Sequence, residues 1–466
     1  MKILKFGGTS VGSIQSIEQV LSIIEDRLKP ETTLAVVFSA FSGVTDQLIQ
    51  ICQTAARGDQ GYHKLFVQLE KRHIETADAL LSLQKRSYVL TQIKIMMKNI
   101  EELAYGIFLV KEVTDKTLDF MMSFGERLSA YIIHSCLKDR NIDNSLIDTR
   151  GIIITDSNFG NARIDFELTT QNIRRHFSEH CNLFIVTGFI ASTVNKETTT
   201  LGRGGSDFTA SIIGAALKAE EIEIWTDVNG VMTADPRKVK TAFPIKEMTY
   251  EEAMELSHFG AKVLYPPTMQ PALKAGIPIR IRNTFNPFFA GTLIHSSTGK
   301  KGTLIRGISS IDAVSLLQIQ GIGMVGFTGI AGRIFSALAA KKINIILISQ
   351  ASSEHSICLA IPPDCAKKAR QAVEEKLQYE IHYGQVNSVI IEDNMAIIAV
   401  VGERMRRTIG IAGRVFQTLG ENKVNISAIA QGSSELNISM VIAGKDETRA
   451  LNALHSAFFK INPVYS

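Results

Sequence analysis

MKILKFGGTSVG, Met1 to Gly12, opens the chain. The apolar run Ile3 to Phe6 reads as a short strand carrying Lys5, and Gly7-Gly8-Thr9-Ser10 as a tight turn. Ile14, Ile17, Leu21, Ile24 and Leu28 then recur on one face of an amphipathic helix. A strand, a glycine turn and a helix N-terminus together present backbone N–H groups to an anion, and Lys5 adds a full positive charge. This predicts a phosphate cradle. It is not a P-loop, because G-x-x-x-x-G-K-[ST] occurs nowhere in the chain. The alternative is a plain β–α turn with a solvated lysine.

Working outward, further short runs rich in Val and Ile follow at Leu34 to Phe38, Leu183 to Val186, Ile222 to Trp225 and Ile279 to Ile281. They are apolar at consecutive positions, as expected for strands buried on both faces of a mostly parallel sheet. Helical stretches such as Thr209 to Lys218 and Tyr250 to Leu256 separate them. The expected fold class is therefore an α/β sandwich with helices on both sides of the sheet. Residues 55–135 are more helical and polar, and read as an elaboration near a site.

The character changes between Asn286 and Ser310, where glycines, serines and Lys300-Lys301 suggest a link between domains. Beyond it lies an internal repeat. Ile330-Ala-Gly-Arg-Ile-Phe and Ile411-Ala-Gly-Arg-Val-Phe stand 81 positions apart, and the offset holds through Asn344/Asn425, Gln350/Gln431 and Ser352-Ser353-Glu354/Ser433-Ser434-Glu435. Each copy suits a small ferredoxin-like βαββαβ unit, so two small sheets side by side are expected. The first copy contains G-x-G-x-x-G at Gly321 to Gly326. A dinucleotide site would need an acidic residue some twenty positions on. Ile343-Asn344-Ile345 stands there, and Arg404 and Arg407 replace two of the glycines in the second copy, so this motif carries no weight.

The totals exclude several classes. The chain has 466 residues, 45% hydrophobic and 21% charged, with a net charge of +4. That charge is too small for this length to argue for nucleic acid or a membrane surface. Five cysteines without C-x-x-C spacing, and no H-E-x-x-H, point to free thiols and no resident metal. The sequence enters a strand at once, so no signal peptide is expected, and no apolar run approaches a membrane span. The expected location is cytoplasmic.

Five more clusters carry chemistry. Thr200-Leu-Gly-Arg-Gly-Gly-Ser-Asp-Phe-Thr209 frees several N–H groups and places Arg203 among glycines, where it can fork onto a carboxylate. Ser206 and Asp207 are expected to cap the following helix. Trp225 to Arg237 puts Thr226 and Asp227 at a strand end, where ligands gather in open α/β sheets, and its Asp-Pro-Arg turn presents a cation. Lys262 sits in the apolar stretch Phe259 to Pro266. Val37 to Asp46 is a strand, a hydroxyl-rich turn and a helix start. Glu126, in Phe120 to Ser129, is isolated among apolar and small residues and can hold an ammonium group; the alternative is an exposed helical glutamate paired with Arg127. Phosphate donors, two lysines, an arginine for a carboxylate and a glutamate for an amine fit phosphoryl transfer to an amino acid.

In this order K-F-G-G-T-S-V-G, V-F-S-A-F-S-G-V-T-D, M-S-F-G-E-R-L-S, T-L-G-R-G-G-S-D-F-T-A, I-W-T-D-V-N-G-V, A-D-P-R and F-G-A-K-V-L-Y-P resemble the aspartokinase family over nearly the whole chain. The repeats look like that family's tandem ACT regulatory domains. The resemblance implies an amino-acid-kinase-like catalytic domain at 1–295, a linker at 296–310, and ACT domains at 311–390 and 391–466, with the C-terminal strand a candidate to return to the first of them. It implies transfer from MgATP to the β-carboxylate of L-aspartate, the first step towards lysine, threonine and methionine. Lys5 and Asp207 become the catalytic pair. Lys5, Gly7, Gly8, Ser39, Thr226, Asp227, Met232, Arg237, Lys262 and Val263 fall to ATP; Ser39, Thr45, Glu126, Arg203, Gly204, Gly205 and Ser206 fall to aspartate. Met232 stands where the family often has tyrosine, and Tyr265 where a histidine before proline is usual.

The resemblance also implies an effector site at Asn344, Ile345, Gln350, Asn425, Ile426 and Gln431, and a homodimer or larger assembly through the ACT domains. The paired Q-x-S-S-E pattern resembles threonine-sensitive aspartokinases, including the kinase half of bifunctional aspartokinase–homoserine dehydrogenases. Threonine is the expected effector and lysine the alternative; a natural single-function chain and a piece of a bifunctional one both stay open. Two rival readings remain: a kinase acting on glutamate or N-acetylglutamate, and a catalytically silent amino-acid sensor.

Overall fold

A computed structural model describes residues 1–29, 31–178, 181–260, 264–296, 304–321, 329–350 and 356–459. The chain divides into two compact units. The first comprises Met1–Val231, Pro244–Tyr250 and Val263–Thr298; the second comprises Met232–Phe243, Glu251–Lys262 and Gly299–Ser466.

The first unit is built on an eight-stranded sheet. Its order is Ser145–Ile147, Leu183–Thr187, Leu34–Phe38, Lys2–Phe6, Glu221–Thr226, Ile279–Asn283, Thr292–His295, Glu247–Thr249. All neighbours are parallel except Ile279–Asn283 with Thr292–His295. Every residue of Leu34–Phe38 and Leu183–Thr187 is buried, which is why these strands read as unbroken apolar runs. Phe6 stacks on both Phe38 and Trp225, with ring centroids 5.6 and 5.7 Å apart, and welds three central strands together. Glu223 is fully buried in the same layer. A carboxylate there must be paired; Arg27 at 3.2 Å, Arg282 at 3.4 Å and the Trp225 indole N–H at 3.0 Å supply its partners.

The elaboration at 55–135 consists of the long helices Tyr62–Leu80, Leu83–Val110 and Asp115–Asp139. The opening motif differs from expectation in one respect. A separate 3-10 turn, Gly8–Val11, follows the first strand, and the amphipathic helix begins only at Ile14. Ser13 and Ser16 form a reciprocal capping box that fixes that start, so the glycine turn does not itself lie at the helix N-terminus.

At Gly291, between two sheet strands, φ is +73° and an added Cβ would lie 1.9 Å from the Ile281 carbonyl oxygen. Gly291→Ala should lower unfolding free energy by at least about 2 kcal/mol, read by urea denaturation of the whole chain.

The second unit contains one six-stranded sheet instead of two separate ones. Its order is Leu347–Gln350, Ser356–Ile361, Gly307–Gln320, Ser388–Val401, Asn437–Ala443, Ile426–Ala430. Two 14-residue strands form its centre, and Gly307–Ser310, expected in the linker, begin the first of them. Gly307 to Ile311 pair with Ile397 to Val401, while Ser315 to Gln320 pair with Ser356 to Ile361. An irregular register between Ile311 and Leu316, with Ala313 at φ 55°, separates the two halves. The strand ahead of the first repeat thus completes the second repeat's sheet. A returning C-terminal strand would fall at 460–466, outside the described residues. The helices keep the 81-residue offset: Ile330, Ile334 and Leu338 anchor one core, and Ile411, Val415 and Leu419 the other.

Ala234 and Val239 pack into that second core. The Thr233 hydroxyl bonds the buried His455 ring at 2.9 Å, and Lys238 pairs with Glu447 at 2.6 Å. Among the described residues no helix is long and apolar enough to cross a membrane.

Candidate active site

The carboxyl ends of the parallel strands converge on one edge of the large sheet. Phe6 lies opposite Phe38 and Trp225, so the turns after all three strands emerge together. There a cleft of about 640 Å³ opens. It is lined by Lys5 and Gly8 from the first turn, Ser39 and Thr45 from the second, Glu126 from the helix Asp115–Asp139, and Arg203 to Asp207 from the glycine segment.

Lys5 points from the central strand to Asp207, with Nζ 2.6 Å from Oδ1, and both side chains are mostly buried. Beside them, a Cβ on Gly7 would lie 3.5 Å from the Lys5 ammonium and 3.8 Å from the Trp225 carbonyl. Only a glycine leaves that space open for an anion's oxygens next to the lysine. Asp207 and Ser206 do not cap their helix as expected. Gly204, at φ +71°, is the N-cap of Gly205–Leu217, and both side chains sit in its first turn.

Glu126 is buried, which removes its reading as an exposed partner of Arg127; Arg127 instead faces Asp148 at 3.8 Å. Its Oε1 accepts from the Ala40 N–H at 3.2 Å, and its Oε2 has no partner. Burial pushes its pKa up to about 8, against smaller opposing backbone hydrogen bonds. A buried carboxyl group with an open oxygen in a cleft is poised to ionise against a cation. Arg203 is exposed at the rim, its guanidinium 5.7 Å from the Tyr265 ring. At that distance the ring face is within cation–π reach of the guanidinium.

Thr226 ends the strand beside Gly7 and Asp227 follows it; the Gly7 N–H donates to the Trp225 carbonyl at 3.3 Å. The Thr226 hydroxyl donates to Asp227 Oδ1 at 3.1 Å. Neither lines the cleft itself. Met232 and Arg237 belong to the second unit. Arg237 folds back on Asp235 at 2.7 Å and so does not simply present a cation to solvent. Lys262 and Val263 lie outside the described residues. In the second unit, Asn344, Gln350, Asn425 and Gln431 are exposed and Ile345 and Ile426 half-buried. The Ser349 hydroxyl donates to the Ile429 carbonyl at 2.7 Å, bringing the two repeats' edge strands together.

Two contributors had escaped the sequence reading. Asp119 is buried and accepts from Gly160 N–H at 2.8 Å and from the Thr200 N–H and hydroxyl at 3.0 and 2.7 Å, fixing the start of the glycine segment. It stands seven residues before Glu126 on the same helix face, a spacing that could have flagged it. The Ser129 hydroxyl donates to the Ser39 carbonyl at 2.7 Å and holds the hydroxyl-rich turn.

Comparison with known proteins agrees with this layout. The profile of the amino acid kinase family matches residues 1–283, and an ACT domain profile matches 317–377 and 398–458. The bifunctional aspartokinase/homoserine dehydrogenase of Daucus carota, a chloroplastic protein, is 37% identical over 98% of this chain and 50% of its own length. The chain thus spans about half the length of the bifunctional plant proteins it matches. The chloroplastic aspartokinase 3 of Arabidopsis thaliana is 32% identical over 98% of this chain and 81% of its own. Among solved structures, E. coli aspartokinase III in complex with aspartate and ADP superposes with a TM-score of 0.81 at 28% identity, over 99% of this chain and 100% of that one. The same enzyme with lysine and aspartate gives 0.80 at 29% identity, over 99% and 100%. An amino-acid-kinase domain with a mostly parallel sheet, followed in sequence by tandem ACT domains, accounts for all of these matches, and the chain belongs to the amino acid kinase family, among its aspartokinases.

Proposed function

We propose that the chain transfers the γ-phosphoryl group of ATP to the β-carboxylate of L-aspartate, giving 4-phospho-L-aspartate and ADP. An oxygen of the β-carboxylate attacks the γ-phosphorus as the bond to the bridging β,γ oxygen breaks. The observation that carries this is one cleft holding both a Lys5–Asp207 pair beside an open glycine turn and a buried carboxylate, Glu126, with an unpartnered oxygen. Phosphoryl transfer calls for charge neutralisation and positioning, and needs no covalent catalyst. Lys5 meets the charge on the transferring group, with Gly7 and Gly8 cradling phosphates and Asp207 orienting the lysine. Glu126 receives the substrate ammonium and Arg203 its α-carboxylate, with Ser39, Thr45, Gly204, Gly205 and Ser206 closing around it. Thr226, Asp227, Met232, Arg237, Lys262 and Val263 take the nucleotide side. Among the described residues no acidic or thiol-imidazole cluster suits a metal ion. Mg²⁺ would enter with ATP and would supply charge neutralisation at the phosphates, beside Lys5.

Arg203→Lys should raise the KM for aspartate about tenfold with kcat little changed, because a lysine cannot reproduce a bidentate fork onto a carboxylate. Steady-state kinetics with aspartate varied at saturating MgATP reads this.

Feedback by an amino acid follows from the repeats. Gln350 ends one edge strand and Gln431 directly follows the other, and the two strands meet through Ser349 and Ile429. Threonine at Asn344, Ile345, Gln350, Asn425, Ile426 and Gln431 is the assignment, in a homodimer or larger assembly joined by the ACT domains and serving lysine, threonine and methionine synthesis in the cytoplasm. The test is MgATP-dependent aspartyl hydroxamate formation, without effector, with threonine and with lysine, alongside light scattering for oligomer size. Suppression by threonine supports the whole reading. Suppression by lysine alone overturns the effector. Turnover on glutamate or N-acetylglutamate instead overturns the substrate, and absence of turnover in folded, ATP-binding protein favours a sensor.

A further inference from the structure

The cleft is made by two backbone turns from different strands: Gly8 to Gly12 after the first strand, and Ser39 to Gly43 after the second. They abut at both ends. A Cβ on Gly8 would lie 3.2 Å from the Ala40 carbonyl oxygen, and one on Gly12 would lie 3.3 Å from the Ser42 Cβ. The second turn is already tied on its other side, where Ala40 N–H donates to Glu126 and the Ser39 carbonyl accepts from Ser129.

What joins the two turns is Arg72, from the helical elaboration. Its Nη1 donates to the Ser42 carbonyl at 2.7 Å and its Nη2 to the Gly12 carbonyl at 3.0 Å. One planar guanidinium thus bridges one carbonyl from each turn. The group is itself held. Its carbon lies 6.0 Å from the centroid of the Phe41 ring, and Phe41 in turn stacks on the buried His73 at 5.1 Å. Arg72 does not line the cleft.

We infer that Arg72 is a positioning residue for phosphoryl transfer: its guanidinium sets the distance between the phosphate-side turn carrying Gly8 and the acceptor-side turn carrying Ser39. The inference rests on the reading of this cleft as the site of transfer. A donor and an acceptor held by separate turns react only at near-attack separation, and a misplacement of about 1 Å can cost about 10²-fold in rate. Each turn can still bind its own substrate when the bridge is cut. The loss therefore falls on kcat, with both KM values nearly unchanged. Lysine offers a point charge on one nitrogen and cannot span both carbonyls in a plane.

The experiment compares wild type, Arg72→Ala and Arg72→Lys for aspartyl phosphate formation, with KM measured separately for MgATP and aspartate, and adds millimolar methylguanidinium to the alanine variant. The expected result is a kcat about 10²-fold lower for Arg72→Ala and about tenfold lower for Arg72→Lys, KM values within threefold, and partial recovery of kcat by methylguanidinium but not by methylammonium. Arg72→Lys keeps the aliphatic stem, so it reports even where the alanine variant does not fold. A folded Arg72→Lys with wild-type kcat overturns the inference. So does a loss of activity that follows thermal stability and is not rescued. A wild type that turns over no aspartate overturns the reading of the cleft instead, and the inference falls with it.

Discussion

Lys5→Met should fold, bind MgATP and turn over at about 10⁻³ of the wild-type rate or less. The strand that carries Lys5 is held by backbone pairing to Leu34–Phe38 on one side and Glu221–Thr226 on the other, and methionine keeps the length of the stem. What disappears is the ammonium placed between Asp207 and the open space at Gly7. In a loose phosphoryl-transfer transition state the charge on the equatorial oxygens is met by preorganised cations, so the loss appears in kcat. Near-ultraviolet circular dichroism checks the fold, and hydroxamate formation the rate. Asp207→Asn alone should cost less, since the lysine remains. The double variant should cost no more than Lys5→Met, because the two residues act as a unit. Normal turnover by a folded Lys5→Met would remove the lysine from the mechanism.

The ease with which this pair could be read from sequence, and the difficulty of reading Arg72, have the same physical origin. Lys5 stands alone in an apolar run before two glycines, a place where burial and pattern leave few other uses for a lysine. Arg72 lies in a polar helix among other charged residues, and its partners are the carbonyls of Ser42 and Gly12. Backbone acceptors leave no mark on residue type, so the tie was invisible until the chain was folded. The strands at Leu34 and Leu183 were plain because both of their faces are buried. The helix begins at Ile14, the first residue of the apolar spacing, but the separate 3-10 turn before it does not show in the sequence, because the helix cap is two serines, Ser13 and Ser16, a weak signal beside the glycines at 7 and 8.

The repeats teach a related limit. Their period of 81 holds between the two helices, since Ile330 and Ile411 each begin one. It could not show which strands pair. Gly307 to Ser310 look like the end of a linker, yet they pair with Ile398 to Val401 of the second repeat. Register is set by long-range backbone bonding, and a local pattern of apolar residues serves either partner equally. Met232 and Arg237 show the same effect. Their neighbours Ala234 and Val239 are buried with residues of the last helix, such as Leu451 and Leu454, more than two hundred positions away in sequence.

Above pH 8, Glu126→Gln should raise the KM for aspartate by about 10² to 10³, because removing one partner of a buried charge pair leaves the substrate ammonium uncompensated. The pH dependence separates this from a packing effect. In the free protein the Glu126 pKa is pushed up to about 8 by burial, so the carboxyl is protonated at neutral pH. Only the ionised form pairs with an ammonium. The KM of the wild type should therefore fall by about tenfold for each pH unit gained on the approach to pH 8, while that of Glu126→Gln stays flat. Stability moves the other way. Between the ordinary carboxyl value of 4.5 and about 8, the folded state holds a proton that the unfolded state has lost. Rising pH then removes stability at about 1.4 kcal/mol per unit across that window, and no further above it. Glutamine resembles the protonated acid and pays no such penalty. The variant should match the wild type below about pH 4.5 and be the more stable of the two above pH 8, as urea titrations of both proteins would show. A KM that rises equally at every pH, or a variant less stable than wild type in alkaline solution, would mean that Glu126 serves the packing of its helix and not the binding of an amine.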